Sequence, residues 1–513
     1  MVCLMGLDVG TTGAKALLID EAGEVVASAT TEYPMYTPHP QWAEQDPEDW
    51  WTASQESIQR VLARSGVDPD EVKGVGLTGQ MHGLVLLDRE GQVLRPCIMW
   101  NDQRTGPQCR WITEVIGARR LIRLTCNPVL PGFTAPKIIW VRENEPQVYE
   151  RAARVLLPKD YIRFRLTGEF ATEVSDASGT SLFDVRNRIW SEEVLGELDI
   201  PREWMPDCYE SPVVSGKITA QAAQATGLRA GTPVVGGGGD QAAQAVGSGI
   251  VREGLVSSTI GTSGVVFAHT EKPLVDPQGR LHTFCHAVPG KWHVMGVMLS
   301  AGGSLRWFRD ALGQQEKDVA ALVGRDPYEL LTAEAAQAPA GCEGLIFLPY
   351  LTGERAPHPD PNARGVFMGL TIRHDKTYLV RAVLEGVAYG LRDSLEMLRD
   401  LGLEIRQVRA SGGGAQSELW RQIQADVFNT ELVTINVTEG AAYGAALLAG
   451  VGAGVYSSVE EACDRAIRIV TRVQPTPERV AIYEAFYPVY RALYNALKPS
   501  FDAVSEVVVR QGG

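Results

Sequence analysis

The chain has 513 residues, room for about three domains of ordinary size or two large ones. Hydrophobic residues at 45%, charged residues at 21%, 53 glycines and 29 prolines exclude disorder, collagen and coiled coil as descriptions of the whole chain. With 48 Lys and Arg against 62 Asp and Glu the formal charge is -14, which argues against nucleic acid or an anionic membrane as a partner, so any anionic ligand must be held by a local site.

The first apolar run carries no basic segment before it and reaches Asp8 quickly, so it reads as a core strand rather than a leader. No uncharged apolar run approaches the roughly 20 residues needed to span a bilayer. Eight cysteines are scattered without C-x-x-C spacing and read as free thiols, which places the protein in the cytoplasm. From Met5 the strand enters a turn, Gly10-Thr-Thr-Gly13, and leaves as a second strand, Ala14 to Ile19. Helical periodicity covers Pro47 to Ala63, and a strand at Val72 to Leu77 precedes Gly79-Gln-Met-His-Gly83. The run Trp100-Asn-Asp-Gln-Arg104 sets an aromatic beside four hydrogen-bonding side chains, the density a sugar site needs, although a solvated loop would look similar. His82, between two glycines, also suits a hydroxyl-rich ligand, against the plainer reading of a structural histidine.

A strand at Val155 to Leu157 is followed by Pro233-Val-Val-Gly-Gly-Gly-Gly-Asp240-Gln-Ala-Ala, in which Asp240 ends a strand where the backbone can close on a ligand. Gly237, Gly239 and Ala242 also satisfy G-x-G-x-x-A, but no second strand with an acidic end follows at dinucleotide-fold spacing. Instead Ser257-Ser-Thr-Ile-Gly-Thr-Ser-Gly264, followed by Val265 to His269, repeats the opening hairpin, with Gly261 lying 251 positions after Gly10, close to half the chain. Two similar halves are therefore expected in place of three unrelated domains. Such Gly/Thr turns let backbone N–H groups approach phosphate oxygens; the plainer alternative is a pair of hairpin turns. Lys15 and Asp8 beside the first turn favour phosphate and a divalent cation. There is no Walker P-loop.

Later come a strand at Gly344 to Leu348, a helix at Lys376 to Leu401, a strand at Val408 to Ala410 and a glycine turn, Ser411-Gly-Gly-Gly414. A helix at Ser417 to Val427, a small-residue helix within Glu439 to Ala449 and an amphipathic closing helix at Pro477 to Leu497 complete the chain. The alternation defines an α/β protein.

Together these segments resemble the FGGY carbohydrate kinases of the sugar kinase, heat-shock chaperone and actin superfamily. The residues that carry the resemblance are Asp8-Val-Gly-Thr-Thr-Gly-Ala-Lys15, Ser178-Gly-Thr-Ser181, Gly238-Gly-Asp240, Ile260-Gly-Thr-Ser-Gly264, Ser411-Gly-Gly-Gly414 and Gly440-Ala-Ala-Tyr-Gly444. Two longer signatures, Gly132 to Asn144 and Gly365 to Glu385, fit as well. Gln-Met-His at 80 to 82, Trp-Asn-Asp at 100 to 102, Leu157-Pro-Lys-Asp-Tyr161 and Leu351-Thr-Gly-Glu-Arg-Ala-Pro357 look like the branch that phosphorylates D-xylulose. Gln241 departs from members that carry Asn after the acid.

The resemblance implies two actin-like (ribonuclease H-like) domains, 1–246 on the sugar side and 247–500 on the nucleotide side, with a catalytic cleft between them. It implies Asp240 as general base, and Met81, His82, Trp100, Asn101, Asp102, Asp240 and Gln241 around the sugar. It assigns Gly10, Thr11, Thr12, Lys15, Gly261, Thr262, Gly302, Arg306, Gly413 and Ser417 to ATP, and Asp8 to Mg2+. L-ribulose, L-xylulose or ribitol are the alternative substrates. A non-catalytic sensor of the superfamily would carry an N-terminal helix-turn-helix, whereas here the phosphate strand starts at once; a chaperone-type switch would not need the sugar motifs. The oligomeric state stays open, a homodimer included.

Overall fold

The structure is a computed structural model that describes residues 2–511. The chain forms two compact units, one of residues up to Arg252 with His269–Val294 and Glu439–Arg468, the other of Glu253–Ala268, Met295–Thr438 and the residues from Ile469 onward.

The first unit is built on a mixed sheet whose strands run in the order Val214–Lys217, Pro233–Val235, Val72–Gly79, Cys3–Val9, Gly13–Asp20, Val25–Glu32. The opening hairpin is present: Cys3–Val9 pairs antiparallel with Gly13–Asp20, Asp8 opposite Lys15. On its other side Cys3–Val9 lies parallel to Val72–Gly79, with Asp8 beside Thr78. A short strand, Gly238–Gly239, pairs with the same neighbour and sets Gly238 beside Thr78 as well. The register thus brings Asp8 and the segment that leads into Asp240 to the two flanks of one residue.

Alternation along Cys3–Val9 decides what covers each face. Met5 and Leu7 join Trp50, Trp51, Ile58 and Val61 of the helix Pro47–Ser65 in one buried cluster, each large side chain stabilising the fold by about 1.5–3 kcal/mol. That helix starts at the predicted Pro47, capped by Asp46, and runs two residues past the expected Ala63 to stop at Gly66 in the left-handed region. Gly6 points the other way, onto the small-residue helix Ala441–Gly452. A Cβ on Gly6 would lie 1.8 Å from the carbonyl oxygen of Ala442, and one on Gly76 1.9 Å from that of Ala445. A Cβ on Gly444 of this helix would lie 1.8 Å from the carbonyl oxygen of Ala243 in the helix Asp240–Gly247. Sheet and two helices therefore meet backbone to backbone, which only glycine and alanine allow.

The second unit repeats the order. Leu255–Ile260 forms a hairpin with Gly264–Thr270, Ile260 opposite Gly264. It lies parallel to Gln407–Gly412, which is parallel to Glu431–Ile435, and Ile469–Val473 closes antiparallel. In the first unit the same series is hairpin, parallel Val72–Gly79, parallel Pro233–Val235 and antiparallel Val214–Lys217. The two Gly/Thr turns occupy the same place in the same topology. The helices Lys376–Asp400 and Glu418–Phe428 pack together, with the indole N–H of Trp420 donating to the Leu384 carbonyl at 3.1 Å.

The largest difference from expectation is at the end of the chain. The closing helix runs from Pro477 to Arg510, beyond Leu497, and carries Pro488 and Pro499 inside it. An internal proline removes one backbone hydrogen bond and crowds the preceding turn. Side-chain contacts offset this: Tyr483 donates to Glu385 at 2.8 Å and Tyr487 to Asp393 at 2.6 Å, both on Lys376–Asp400. Among the described residues no helix is long and apolar enough to cross a membrane, and all eight cysteines are free thiols.

Candidate active site

Asp240 is the first residue of the helix Asp240–Gly247, one step beyond the short strand Gly238–Gly239, so the expected strand end is a strand-to-helix turn. Gly237 makes the turn with φ of 71°, and a Cβ there would lie 1.8 Å from the carbonyl oxygen of Leu77. Burial pushes the Asp240 carboxyl up to about 7; the charge of Asp8 pushes it further the same way, and hydrogen bonds from Gln241 pull it back. Burial raises Asp8 to about 6, with Lys15 acting against it. Asp8 Oδ1 is buried and makes no hydrogen bond among the described residues. A pair of raised carboxyls, one with an orphaned oxygen, is an arrangement that accepts a proton or a cation.

Lys15 does not stand free above the first turn: its ammonium pairs with Glu439, just ahead of the helix Ala441–Gly452. The turn itself is closed by the Gly10 N–H donating to the Gly13 carbonyl at 3.1 Å, and Thr12 at its tip is exposed. Thr11 is tied to the sugar-side candidates, its hydroxyl accepting from the indole N–H of Trp100 at 3.1 Å.

His82 is held in the left-handed region, φ 69°, a conformation that costs energy for a residue with a Cβ. Its ring stacks on Phe133 with centroids 4.5 Å apart. Its Nδ1 lies 2.7 Å from the carbonyl oxygen of Gly179. A carbonyl only accepts, so Nδ1 carries a proton and donates it. The backbone of His82 is fixed too, because its carbonyl accepts from Lys137 Nζ at 2.8 Å and from Thr134 Oγ1 at 3.1 Å. Burial lowers Lys137 to about 7. Met81 is buried, and its side chain lies over Gly239, where a Cβ would approach it to 2.9 Å. Met81 thus contacts the turn that carries Asp240.

The Trp-Asn-Asp triplet divides. Trp100 is 44% exposed, and Asn101 Oδ1 is buried with no hydrogen-bond partner among the described residues. Asp102 is wholly buried and its carboxylate is engaged: it accepts from the Ala43 N–H at 2.7 Å and from Arg104 Nη2 at 2.7 Å. Arg104 in turn stacks over Trp42 at 3.6 Å. Asp102 therefore braces the loop under Trp100 and Asn101.

In the second unit Gly261, Thr262, Gly302, Arg306, Gly413 and Ser417 all line one cavity of about 410 Å3, within the usual range for a small-ligand site. Glycine is required where the elements meet. The Gly302 N–H donates to the Gly261 carbonyl at 2.8 Å, and a Cβ on Gly302 would lie 2.4 Å from that oxygen. The Gly303 N–H donates to the Thr262 carbonyl at 2.9 Å. The start of the helix Gly302–Leu312 is thereby clamped to the Gly/Thr turn, a setting that favours anions. Gly412, φ 76°, brings the next turn against Ile260, and Ser417 caps Glu418–Phe428 by accepting from the Trp420 N–H at 3.3 Å. Sequence reasoning missed Asp326, Tyr328, Glu329 and Thr332 on the far wall. They come from the helix Pro327–Ala335 and its cap Asp326, a stretch with no glycine turn or phosphate signal.

Two family models match the chain: the FGGY family of carbohydrate kinases, N-terminal domain, over residues 3–247, and its C-terminal domain over residues 256–453. A xylulose kinase from Escherichia coli K12 is 45% identical over 428 residues, 83% of this chain and 85% of that protein. The crystal structure of xylulose kinase from Rhodospirillum rubrum superposes with a TM-score of 0.90 at 32% identity, covering 98% of this chain and all of that one. A gluconokinase from Bacillus subtilis is 33% identical over 84% of this chain and 83% of its own length.

Proposed function

Because this chain belongs to the FGGY family of carbohydrate kinases and is a sugar kinase, we propose that it transfers the γ-phosphoryl group of ATP to the terminal hydroxyl of D-xylulose, forming D-xylulose 5-phosphate. The observation that carries the mechanism is the half-buried Asp240, whose carboxyl is raised to about 7 beside Asp8 at the end of a glycine turn. A base with a pKa near the working pH is half ready at rest and still strong enough to take a proton, a contribution of about 10²- to 10⁴-fold. Asp240 takes the hydroxyl proton as the sugar oxygen attacks phosphorus and ADP leaves. The backbone of Met81, the ring of His82, Trp100, Asn101 and Gln241 hold the remaining hydroxyls, with Asp102 bracing that loop.

The transition state is loose and spreads negative charge over three phosphoryl oxygens, so stabilisation must come from donors already in place. In the first unit the donors of this kind are the N–H groups at the tip of the Gly/Thr turn, at Thr11 and Thr12, with the Thr12 hydroxyl; Thr262 is their counterpart in the second unit. Lys15 joins them by exchanging Glu439 for phosphate. The cavity bounded by Gly302, Arg306, Gly413 and Ser417 takes the nucleoside, so that the half up to residue 246 serves the sugar and residues 247–500 serve the nucleotide. The orphaned Asp8 Oδ1 fits a hard cation, and no cluster of three or more metal-ligating side chains exists among the described residues. Mg2+ would thus be held by Asp8, with water and phosphate oxygens as its other ligands, and would supply charge neutralisation.

The substrate is tested by ADP release with ATP and Mg2+ over D-xylulose, L-xylulose, L-ribulose, ribitol, glycerol and gluconate. D-xylulose should lead in kcat/KM by at least about tenfold. The likeness to a gluconokinase makes gluconate the sharpest competitor; equal or better turnover of gluconate or another member contradicts the assignment.

A further inference from the structure

The segment between Ala171 and Ser181 touches both sides of the proposed sugar site. Ser175 Oγ accepts the Gly239 N–H at 3.0 Å, one residue before Asp240, and donates to Glu173 Oε1 at 3.0 Å. One helical turn later the Gly179 carbonyl accepts from His82 Nδ1 at 2.7 Å. The rest of the glycine turn is tied down from the same side. Arg163 donates to the carbonyls of Val235 and Gly236 at 2.8 and 2.6 Å, and the Gly237 N–H donates to the Ser211 carbonyl at 2.8 Å.

Behind these contacts lies an ionic network without solvent exposure. Lys159 Nζ lies 2.7 Å from Asp160, 3.0 Å from Asp176 and 3.5 Å from Glu173. Arg163 reaches Asp160 at 3.2 Å, and Thr172 donates to Asp160 at 2.6 Å. Glu173 also accepts the N–H groups of Ser175 and Asp176 at 2.6 and 2.9 Å. Two cations thus face three carboxylates, and burial pushes the Asp176 carboxyl up while Lys159 pulls it down. Buried ion networks are poor stabilisers, since apolar packing of the same volume serves as well or better; what such a network does supply is fixed geometry.

We infer that Ser175, backed by this network, is a positioning residue that sets the distance between Asp240 and His82 and so aims the base at the reacting hydroxyl. The inference rests on Asp240 being that base. Removing the hydroxyl leaves the Gly239 N–H without its acceptor and lets Asp240 swing toward water. Misplacement of this kind acts on kcat and on the environment of the carboxyl, not on the nucleotide cavity.

The test is steady-state kinetics of full-length Ser175→Ala across pH with ATP, Mg2+ and the best sugar of the panel. We expect kcat to fall about 10- to 100-fold with the KM for ATP within about twofold of the parent. The acid limb of the kcat profile should move to lower pH as the carboxyl gains water, and Ser175→Thr, which keeps the hydroxyl, should restore most of the activity. If the alanine variant does not fold, Ser175→Cys, with its weaker acceptor, carries the same expectations. A kcat within twofold of the parent, an unmoved acid limb or a threonine variant as poor as alanine overturns the inference. Asp240→Asn measured in parallel separates the two claims. If it is inactive while Ser175→Ala is normal, only the role of Ser175 falls; if it is active, the general-base reading falls and the inference with it.

Discussion

Asp240 and Asp8 show what two adjacent carboxyls do when a sheet register forces them together. Each is desolvated, and the charge of Asp8 adds to the burial of Asp240. The sign of the pH dependence follows. A base must be unprotonated, so kcat should fall as pH drops through about 7, the value of the Asp240 carboxyl, and level off above it. A kcat profile flat from pH 5 to 8 would mean that no raised carboxyl works in the rate-limiting step. At this scale much was legible in the sequence. An acid after four glycines, a second acid before a Gly/Thr turn and a His between glycines are local patterns with local causes. The engagement of Lys15 by Glu439 was not legible, because the partner lies 424 positions away. Nor was the full burial of Asp102, since a Trp-Asn-Asp triplet reads the same whether its acid faces a ligand or an arginine beneath the loop.

At the scale of elements, the helix Ala441–Gly452 is the joint on which the first unit depends. Its composition announced close packing, but only the fold shows that it lies against Gly6, Gly74 and Gly76 of the sheet and against the helix headed by Asp240. Gly76→Ala places a methyl 1.9 Å from the Ala445 carbonyl oxygen, where backbone, not a flexible side chain, must yield. Overpacking of this kind costs about 1–3 kcal/mol or more. Chemical denaturation of Gly76→Ala should show that loss, whereas unchanged stability would mean the helix and sheet are not in contact as described. The hairpins and the helices Pro47–Ser65 and Lys376–Asp400 were readable because periodicity, caps and turn residues agree within each. The end of the closing helix and the cavity wall at Pro327–Ala335 were not. In both, tertiary packing decides what local propensity leaves undetermined.

Over the whole molecule, two units repeat one topology, with Asp240 and His82 in the first and the cavity lined by Gly302, Arg306 and Ser417 in the second. Water is a smaller nucleophile than a sugar, so a kinase of this kind must withhold phosphoryl transfer until sugar arrives. ATP turnover without sugar should therefore be at least about 10²-fold slower than with it, and equal rates would show that sugar plays no part in assembling the site. The charge of -14 acquires a sharper meaning in this setting. On the proposed reading an acidic protein would hold its polyphosphate through backbone N–H groups, one lysine borrowed from Glu439 and a divalent cation, without needing a broad basic surface. The claim on which the rest depends is proton removal by Asp240, and the most direct measurement is the turnover of Asp240→Asn. The amide keeps shape and burial while losing the base, so kcat should fall by about 10²-fold or more with the KM for ATP unchanged. A kcat near that of the parent would contradict the account.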